Sequence, residues 1–248
     1  APPVGGAQAG HTASTRPLAD EEAACVHPGA PVTLTAHQRR ALTSIVDALE
    51  SRRSEPILVH GVTGSGKTEL YLRAVERVLA QGRSAICLVP EIALTPQTVE
   101  RFRERFTDGV AVWHSRLTAR QRSLAWSRLT TGQCHVVIGA RSAVFAPVRE
   151  LGLIILDEEH EPSYKQEDAP HTHAREVAAA RGRLTRASVL LGSATPSVET
   201  YYAATQGPGR LVELPERVQG RSLPSVEIVD LRHARKNGRS GGPFSPRL

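Results

Sequence analysis

The stretch GVTGSGKT at residues 61–68 decides the fold. It matches the phosphate-binding pattern G-x-x-x-x-G-K-[ST]. It lies between the apolar run PILVH at 56–60 and the helical pattern ELYLRAVERVLAQ at 69–81. A short apolar run of this kind predicts a buried strand, and a phosphate-binding loop requires a strand before it and a helix after it. The sequence therefore predicts a nucleotide-binding α/β domain.

Each residue type in this loop has a chemical role toward a nucleotide. Lys67 is expected to reach the β- and γ-phosphates, and the Thr68 hydroxyl is expected to bind Mg²⁺. The backbone N–H groups of the loop wrap a phosphate at a helix N-terminus. We assign this cradle to Gly61, Thr63, Gly64, Ser65 and Gly66. The alternative is a glycine turn with a lysine that binds nothing. Lys67 is one of only three lysines in the chain, which makes a chance match to the motif less frequent. ATP and Mg²⁺ are the expected cofactors.

Apolar runs and helical patterns alternate along most of the chain. Helices are predicted at 36–49, 69–81, 95–106, 119–130 and 174–184. Strands are predicted at 56–60, 84–89, 110–113, 135–138, 153–156 and 188–191. This order is typical of a doubly wound α/β fold, with a mostly parallel β-sheet and helices on both faces.

The regular pattern does not extend over the whole chain. Residues 1–31 are rich in Ala, Pro and Gly and predict a linker or a remnant, while 32–205 form the domain. Residues 206–248 are interpreted as a connecting segment, ordered at 226–231, followed by a basic tail. Because the chain contains no methionine and starts with Ala1, we expect it to be a fragment of a longer protein.

Composition excludes several classes of protein. With 248 residues, 40% hydrophobic and 23% charged, the chain has a globular composition. No apolar run approaches the roughly 18 residues of a membrane span, so we expect a soluble, cytoplasmic protein. Three scattered cysteines are too few for a disulfide framework or a zinc site. The net charge is +6, and most of the basic residues are arginines. Arginine suits phosphate contacts, although a genomic bias toward arginine would produce the same composition.

A second motif, LIILDEEH at 153–160, is an apolar strand that ends in carboxylates. Ligands of open α/β sheets bind beyond the carboxyl ends of the strands. Asp157 is therefore predicted to hold Mg²⁺, and Glu158 to act as the general base that activates the attacking water. An acidic turn alone is usually a solvated helix start. Together with the phosphate-binding loop it indicates an NTPase.

A third motif, GSATPS at 192–197, also follows an apolar strand. Ser193 and Thr195 are predicted to hydrogen-bond the acidic motif. A helix cap before Pro196 would explain the same residue types. Gln38, just before a helix, is a candidate for reading the edge of an adenine.

The order of these motifs resembles superfamily 2 helicases, and three longer stretches resemble the PriA family of replication-restart DNA helicases (primosomal protein N′). These stretches are HSRLTARQR at 114–122, IGARSAVFAPV at 138–148 and LGLIILDEEHEPSYKQE at 151–167. The resemblance implies that residues 32–205 are the first RecA-like lobe, a P-loop NTPase domain, of an ATP-dependent DNA helicase. It also implies a role in replication restart and primosome assembly, single-stranded or forked DNA and primosome proteins as partners, and association with the nucleoid.

The resemblance also implies roles for individual residues. Gln38 falls in the adenine-contacting Q motif. Ser193 and Thr195 fall in motif III, which has a coupling role. A set of DNA-facing positions comprises Pro90, Glu91, Thr95 and Gln97 of motif Ia and Arg141 and Ser142 of a G-x-R-S-A stretch.

The segment after DEEH resembles an aromatic-rich loop that couples DNA binding to hydrolysis by stacking. Tyr164 is its only aromatic ring of the Phe, Trp or Tyr type, so we expect Tyr164 and Lys165 to contact DNA, with His171, His173 and Arg175 nearby. The family also has a second lobe with an arginine finger, which we expect to be absent from this chain.

Two other functions remain open from the sequence. One is a non-catalytic, fork-binding primosome scaffold with a vestigial ATPase. The other is a different superfamily 2 motor that acts on RNA or translocates along double-stranded DNA.

Overall fold

A computed structural model describes residues 33–51 and 55–218 of the chain. Its helices are α1 (Ala36–Glu50), α2 (Lys67–Ala80), α3 (Pro96–Phe106), α4 (Ala119–Thr130), α5 (Ala174–Thr185) and α6 (Val198–Thr205). Its strands are β1 (Ile57–Gly61), β2 (Ser84–Leu88), β3 (Val110–Trp113), β4 (Val136–Gly139), β5 (Leu151–Leu156), β6 (Ser188–Ser193) and β7 (Arg210–Leu214). Short 3₁₀ turns lie at Thr107–Gly109, Arg141–Phe145 and Pro162–Tyr164.

All seven strands form one sheet in the order β3-β4-β2-β5-β6-β1-β7, and every neighbouring pair is parallel. The carboxyl ends of the strands therefore meet at one edge of the sheet. Because β5, β6 and β1 are neighbours, the acidic motif, the GSATPS motif and the phosphate-binding loop come together at that edge. The predicted α/β fold with a parallel sheet is confirmed.

Alternate side chains of each strand enter two separate cores, as the period of two along a strand requires. In β1, Ile57 and Val59 pack on one face with α1, α2 and Phe102 of α3. Leu58 packs on the opposite face with Leu129 of α4 and with α5. Each such buried aliphatic side chain contributes about 1.5–3 kcal/mol to folding. Helices cover both faces, as predicted.

Two elements near the end of the domain were not predicted from the sequence. Helix α6 starts directly after GSATPS, and β7 pairs along β1 from Ile57 to Gly61. The predicted domain boundary at residue 205 is corrected by this pairing, because β7 belongs to the sheet. As an edge strand, β7 buries only Val212 and Leu214, which is a weak pattern in the sequence.

Three predictions about the ends lie outside the described residues: the linker at 1–31, the ordered stretch at 226–231 and the basic tail. Among the residues that the structure describes, no helix has both the length and the apolar character that crossing a bilayer requires.

Candidate nucleotide-binding site and nucleic-acid surface

The phosphate-binding loop connects β1 to α2 through two left-handed glycines. Gly64 and Gly66 have φ angles of +79° and +84°, a conformation that residues with a Cβ rarely adopt. Thr63 and Gly64 are exposed at the tip of the loop. Lys67 is the first residue of α2 and is buried, and its Nζ donates a hydrogen bond to the Gly61 carbonyl at 2.9 Å. The ammonium group therefore lies inside the curve of the loop.

Gln38 braces this loop from α1. Its Nε2 donates to the Ser65 carbonyl at 2.9 Å, and its Oε1 accepts from the Thr35 N–H at 2.9 Å in a capping box. The side chain is buried, and a Cβ on Gly66 would come within 2.2 Å of its Nε2. Gln38 thus fixes the shape of the phosphate-binding loop, while its predicted contact with adenine stays a prediction.

The loop contains polar groups that suit a phosphate. Ser65 Oγ is buried and has no hydrogen-bond partner among the described residues. Lys67 has three N–H donors, of which the Gly61 carbonyl takes one. Unsatisfied polar groups in a buried position are unfavourable, and an anionic ligand in the loop would pair with donors of this kind. Thr68 follows Lys67 in the first turn of α2 and is half-buried.

Asp157 follows β5 and is held by a tyrosine from α2. Its Oδ1 accepts from Tyr71 Oη at 3.0 Å. Tyr71 reaches it across Gly192, where a Cβ would lie 1.6 Å from Tyr71 Oη. Burial, reinforced by the neighbouring Glu158, raises the pKa of Asp157, while Tyr71 and Lys67 oppose the rise. A divalent cation would favour the charged carboxylate here, so Asp157 fits the role of a Mg²⁺ ligand.

Glu158 is turned toward the phosphate-binding loop by an unusual backbone. Its φ angle of +47° is left-handed, which is uncommon for a residue with a side chain and recurs at functional sites. Glu158 Oε1 lies 3.8 Å from Lys67 Nζ, and Oε2 lies 3.8 Å from His160 Nδ1. The side chain is 38% exposed, so solvent reaches it. This position suits a base that acts on a water molecule next to a phosphate.

The GSATPS motif contacts the acidic motif through His160. Ser193 Oγ lies 2.8 Å from His160 Nδ1, and Thr195 Oγ1 lies 3.4 Å from His160 Nε2. The Thr195 N–H also donates to Ser193 Oγ at 3.0 Å. The predicted hydrogen bonds are present, and the coupling role of these two residues stays a prediction.

Sequence reasoning missed a buried ionic cluster beside this contact. Glu159 is fully buried, and its carboxylate accepts from Arg175 Nη1 at 2.8 Å and from Thr200 Oγ1 at 2.9 Å. Ser197, the N-cap of α6, donates its N–H to Glu159 Oε1 at 2.7 Å and its hydroxyl to Oε2 at 3.2 Å. The cluster joins the acidic motif to the starts of α5 and α6. The only signal in the sequence is a third carboxylate in DEEH.

The predicted DNA-facing residues of motif Ia lie between the end of β2 and the first turn of α3. Glu91 and Gln97 are exposed, and Thr95 is exposed as the N-cap of α3. Pro90 is buried, and its carbonyl accepts from the N–H groups of Ala93 and Leu94 at 2.9 and 3.0 Å. The expectation that Pro90 contacts DNA is therefore wrong for this structure.

The G-x-R-S-A stretch holds the loop that follows DEEH. Arg141 Nη1 donates to the Lys165 carbonyl at 2.6 Å and reaches the Ser163 carbonyl at 3.5 Å. Arg141 is half-buried, whereas Ser142 and Lys165 are exposed. Arg141 thus ties the loop after DEEH to the turn after β4, and the predicted contacts of these three residues with DNA stay predictions.

Tyr164 is not on the surface. Its side chain is fully buried in the core against α5, and its Oη donates to the Asp157 carbonyl at 2.8 Å. The expectation that Tyr164 stacks on DNA is corrected by this burial. The 3₁₀ turn at Pro162–Tyr164 turns the ring inward, where it buries apolar area and satisfies its hydroxyl.

Known helicases are similar to this chain in sequence. The family model "DEAD/DEAH box helicase" matches residues 35–203. Replication restart protein PriA of Bacillus subtilis (strain 168) is 50% identical over 84% of this chain and 26% of the relative. The PriA of Chlamydia pneumoniae is 43% identical over 88% of this chain and 29% of the relative. The chain thus spans between a quarter and a third of the length of these curated relatives.

Among solved structures, RecG bound to a three-way DNA junction is similar to this chain. The TM-score is 0.58 and the sequence identity is 26%, over 78% of this chain and 25% of the RecG chain.

Proposed function

The chain belongs to the DEAD/DEAH box helicase family, and from this premise we propose that it is the ATP-binding lobe of a PriA-like DNA helicase that acts in replication restart. The observation that carries the proposal is the meeting of three motif loops at one sheet edge, after the neighbouring strands β1, β5 and β6. PriA relatives at 43–50% identity and the likeness to DNA-bound RecG support the choice of DNA as the substrate.

In this proposal the phosphate-binding loop binds ATP. Lys67 neutralises the β- and γ-phosphates, and the backbone N–H groups from Gly61 to Gly66 cradle them. Thr68 and Asp157 would hold Mg²⁺, which would supply positive charge to balance the negative charge that develops on the phosphates. Tyr71 orients the Asp157 carboxylate through the 3.0 Å hydrogen bond.

Glu158 is proposed as the general base. It orients the attacking water and accepts its proton, and it lies 3.8 Å from the Lys67 ammonium, which faces the phosphates. Ser193 and Thr195 are proposed to sense this site through His160, whose ring both of them contact. Five exposed residues after β2, after β4 and after DEEH are proposed to face the DNA: Glu91, Thr95, Gln97, Ser142 and Lys165. Arg141 holds the segment after DEEH through the Lys165 carbonyl.

In the intact helicase, we place the strand movement between this lobe and a second RecA-like lobe that carries an arginine finger. Opening and closing of the two lobes with each ATP would move single-stranded or forked DNA, and primosome proteins would be the assembly partners. The cytoplasmic nucleoid is the compartment that this function requires.

The first experiment measures nucleotide binding by the chain with a fluorescent ATP analogue and Mg²⁺. Lys67→Ala is expected to weaken binding by well over tenfold, because the charge that faces the phosphates is lost. Lys165→Ala is the matched control, since Lys165 is exposed and is not among the residues proposed to bind the nucleotide, so we expect nucleotide affinity to stay unchanged. Equal affinities of Lys67→Ala and the unaltered chain would overturn the assignment of the loop.

A second experiment separates a helicase motor from a scaffold with a vestigial ATPase. Glu158→Gln keeps the size of the side chain but removes the base, so the motor predicts normal ATP binding and the loss of phosphate release. Phosphate release is followed with and without forked DNA and, in parallel, with an RNA fork of equal length. Release that is unaffected by Glu158→Gln contradicts the proposed base, and stimulation by RNA alone contradicts the choice of DNA.

A further inference from the structure

We propose that Trp113 at the end of β3 and Arg122 and Trp126 of α4 form a second contact with a single strand of nucleic acid. This proposal rests on the proposed function. We call these three residues the tryptophan surface. It would bind a single-stranded nucleic acid by stacking a base on the exposed indole and by pairing arginine with the phosphates.

The two indole rings form an aromatic pair, in which Trp126 is exposed and Trp113 is partly buried against the core. Their centroids lie 6.3 Å apart at an interplanar angle of 47°. Trp126 is 52% exposed, although tryptophan is among the most buried side chains on average. Leu129 is the only buried residue of α4, so the helix presents most of its surface to solvent. Tryptophan is enriched at interaction surfaces, so a half-exposed indole beside a second indole indicates a binding surface.

The sequence around this pair is basic. From Gly109 to Arg149 the sequence contains no Asp or Glu, and its arginines are Arg116, Arg120, Arg122, Arg128, Arg141 and Arg149. Within the described part of the chain, Arg116 and Arg122 are exposed and form no salt bridge. Their charge is therefore available to a polyanion.

Helical spacing sets Arg122 beside the exposed ring. Residues four positions apart on a helix lie on the same face, so Arg122 and Trp126 are neighbours on α4. Arg120 and Leu124 form a second pair of the same spacing, and Leu124 is also strongly exposed. Because two residues correspond to about 200° around a helix, this second pair faces away from the first.

The tryptophan surface is continuous with the proposed DNA-facing turns. The Trp113 carbonyl accepts from the Ala140 N–H at 3.1 Å, so the G-x-R-S-A turn begins directly beside Trp113. A Cβ on Gly139 would lie 2.0 Å from the Trp113 carbonyl oxygen, which shows how closely the two segments approach. On the other side, Ser115 Oγ donates to Glu91 Oε1 of the motif Ia turn at 3.0 Å.

This chemistry favours a single strand over a duplex or a protein. Every base has a face that stacks on an indole, whereas in a duplex the base faces are covered by their neighbours. An acidic protein partner would pair with the arginines but would not require a stacked indole. The contact would be independent of base sequence and weakened by salt.

The test uses the fact that Trp113 and Trp126 are the only tryptophans of the chain. The intrinsic fluorescence of the protein therefore reports on this surface alone, and labelled oligo(dT) reports total binding by anisotropy. We expect oligo(dT) to quench the tryptophan emission in step with the rise in anisotropy. The double substitution Arg122→Ala/Trp126→Ala should weaken binding by about tenfold, the effect of one lost stack.

The matched control is Arg120→Ala/Leu124→Ala, which removes the same charge and an exposed apolar side chain from the other face of α4. We expect its affinity to stay within about twofold of the unaltered chain. Equal losses in both variants, or DNA binding that leaves the tryptophan emission unchanged, would overturn the inference while leaving the proposed function intact. A chain that shows no anisotropy change with any DNA would instead contradict the proposed function.

Discussion

The substitution Glu159→Gln tests how much the buried ionic cluster contributes to this domain. It changes one oxygen of a fully buried carboxylate to NH₂ and leaves the volume of the side chain unchanged. In the unaltered chain Oε1 accepts from the Ser197 N–H, and Oε2 accepts from Arg175, Ser197 Oγ and Thr200 Oγ1. Every one of these contacts needs an acceptor at position 159.

The amide has one acceptor oxygen for two sets of donors. If its NH₂ replaces Oε1 it faces the Ser197 N–H, and if it replaces Oε2 it faces the Arg175 guanidinium. Either orientation loses a charge-assisted hydrogen bond, about 1.5–3 kcal/mol, and leaves a donor unpaired, about 1–3 kcal/mol. Breaking one side of a buried ion pair costs about 3–5 kcal/mol in other proteins, which agrees with this sum. We therefore expect Glu159→Gln to lower the free energy of unfolding by about 3–5 kcal/mol.

The assay is urea denaturation followed by circular dichroism. With a slope of about 2 kcal/mol per molar urea, the midpoint should fall by about 2 M. Glu158→Gln is the control, because it makes the same chemical change one residue earlier on a side chain that is 38% exposed, and its effect should stay below about 1 kcal/mol. A midpoint for Glu159→Gln that matches that of Glu158→Gln would refute the reasoning.

Two further predictions concern the neighbourhood of this cluster. His173 caps α5 by accepting the Arg175 N–H at 3.2 Å, and burial, followed by the charge of Arg175, lowers the pKa of His173 below its ordinary 6.5. The cap is therefore fully present at pH values above 6.5, the ordinary pKa of histidine. It is lost as the pH falls from 6.5 through the lowered pKa of His173. His173→Asn, which keeps an acceptor that does not titrate, should lose less thermal stability than the unaltered chain between about pH 8 and about pH 5.5. The exposed His171→Asn should behave like the unaltered chain, and equal losses in all three proteins would contradict the prediction. Gly192→Ala should destabilise the fold by about 1–3 kcal/mol, because its Cβ would lie 1.6 Å from Tyr71 Oη. Adding Tyr71→Phe should recover part of this loss in urea melts, whereas a single variant as stable as the unaltered chain would show that no such crowding exists.

The local parts of the fold could be predicted from the sequence. Helices α1, α3 and α4 begin and end within a residue of the predicted bounds, since their caps and apolar spacing are contained in neighbouring residues. Strand β7 was not predicted, because an edge strand with two buried side chains has little pattern of its own. The boundary of the domain therefore needed the pairing of β7 with β1, whose residues are about 150 positions away.

The candidate site was also predictable where it depends on neighbouring residues and not where it depends on distant ones. The phosphate-binding loop, Asp157 and Glu158 were evident because a loop of this kind needs glycines, a lysine and a hydroxyl within eight adjacent positions. Tyr164 was misjudged, because an aromatic residue in a polar loop can stack outside or pack inside with the same sequence. Only the core beneath it decides between the two.

The sequence by itself determined the nucleotide-binding motif and the alternation of strands and helices, because hydrogen bonding within a helix, strand periodicity and left-handed glycines depend on residues close in the chain. Only the tertiary structure decided the strand order that joins the three motifs, the burial of Glu159 with Thr200 41 positions away, and the pairing of Trp113 with Trp126. These features depend on which distant side chains share one core or one surface. That choice is made by packing and desolvation of the whole domain, which no local stretch of sequence encodes.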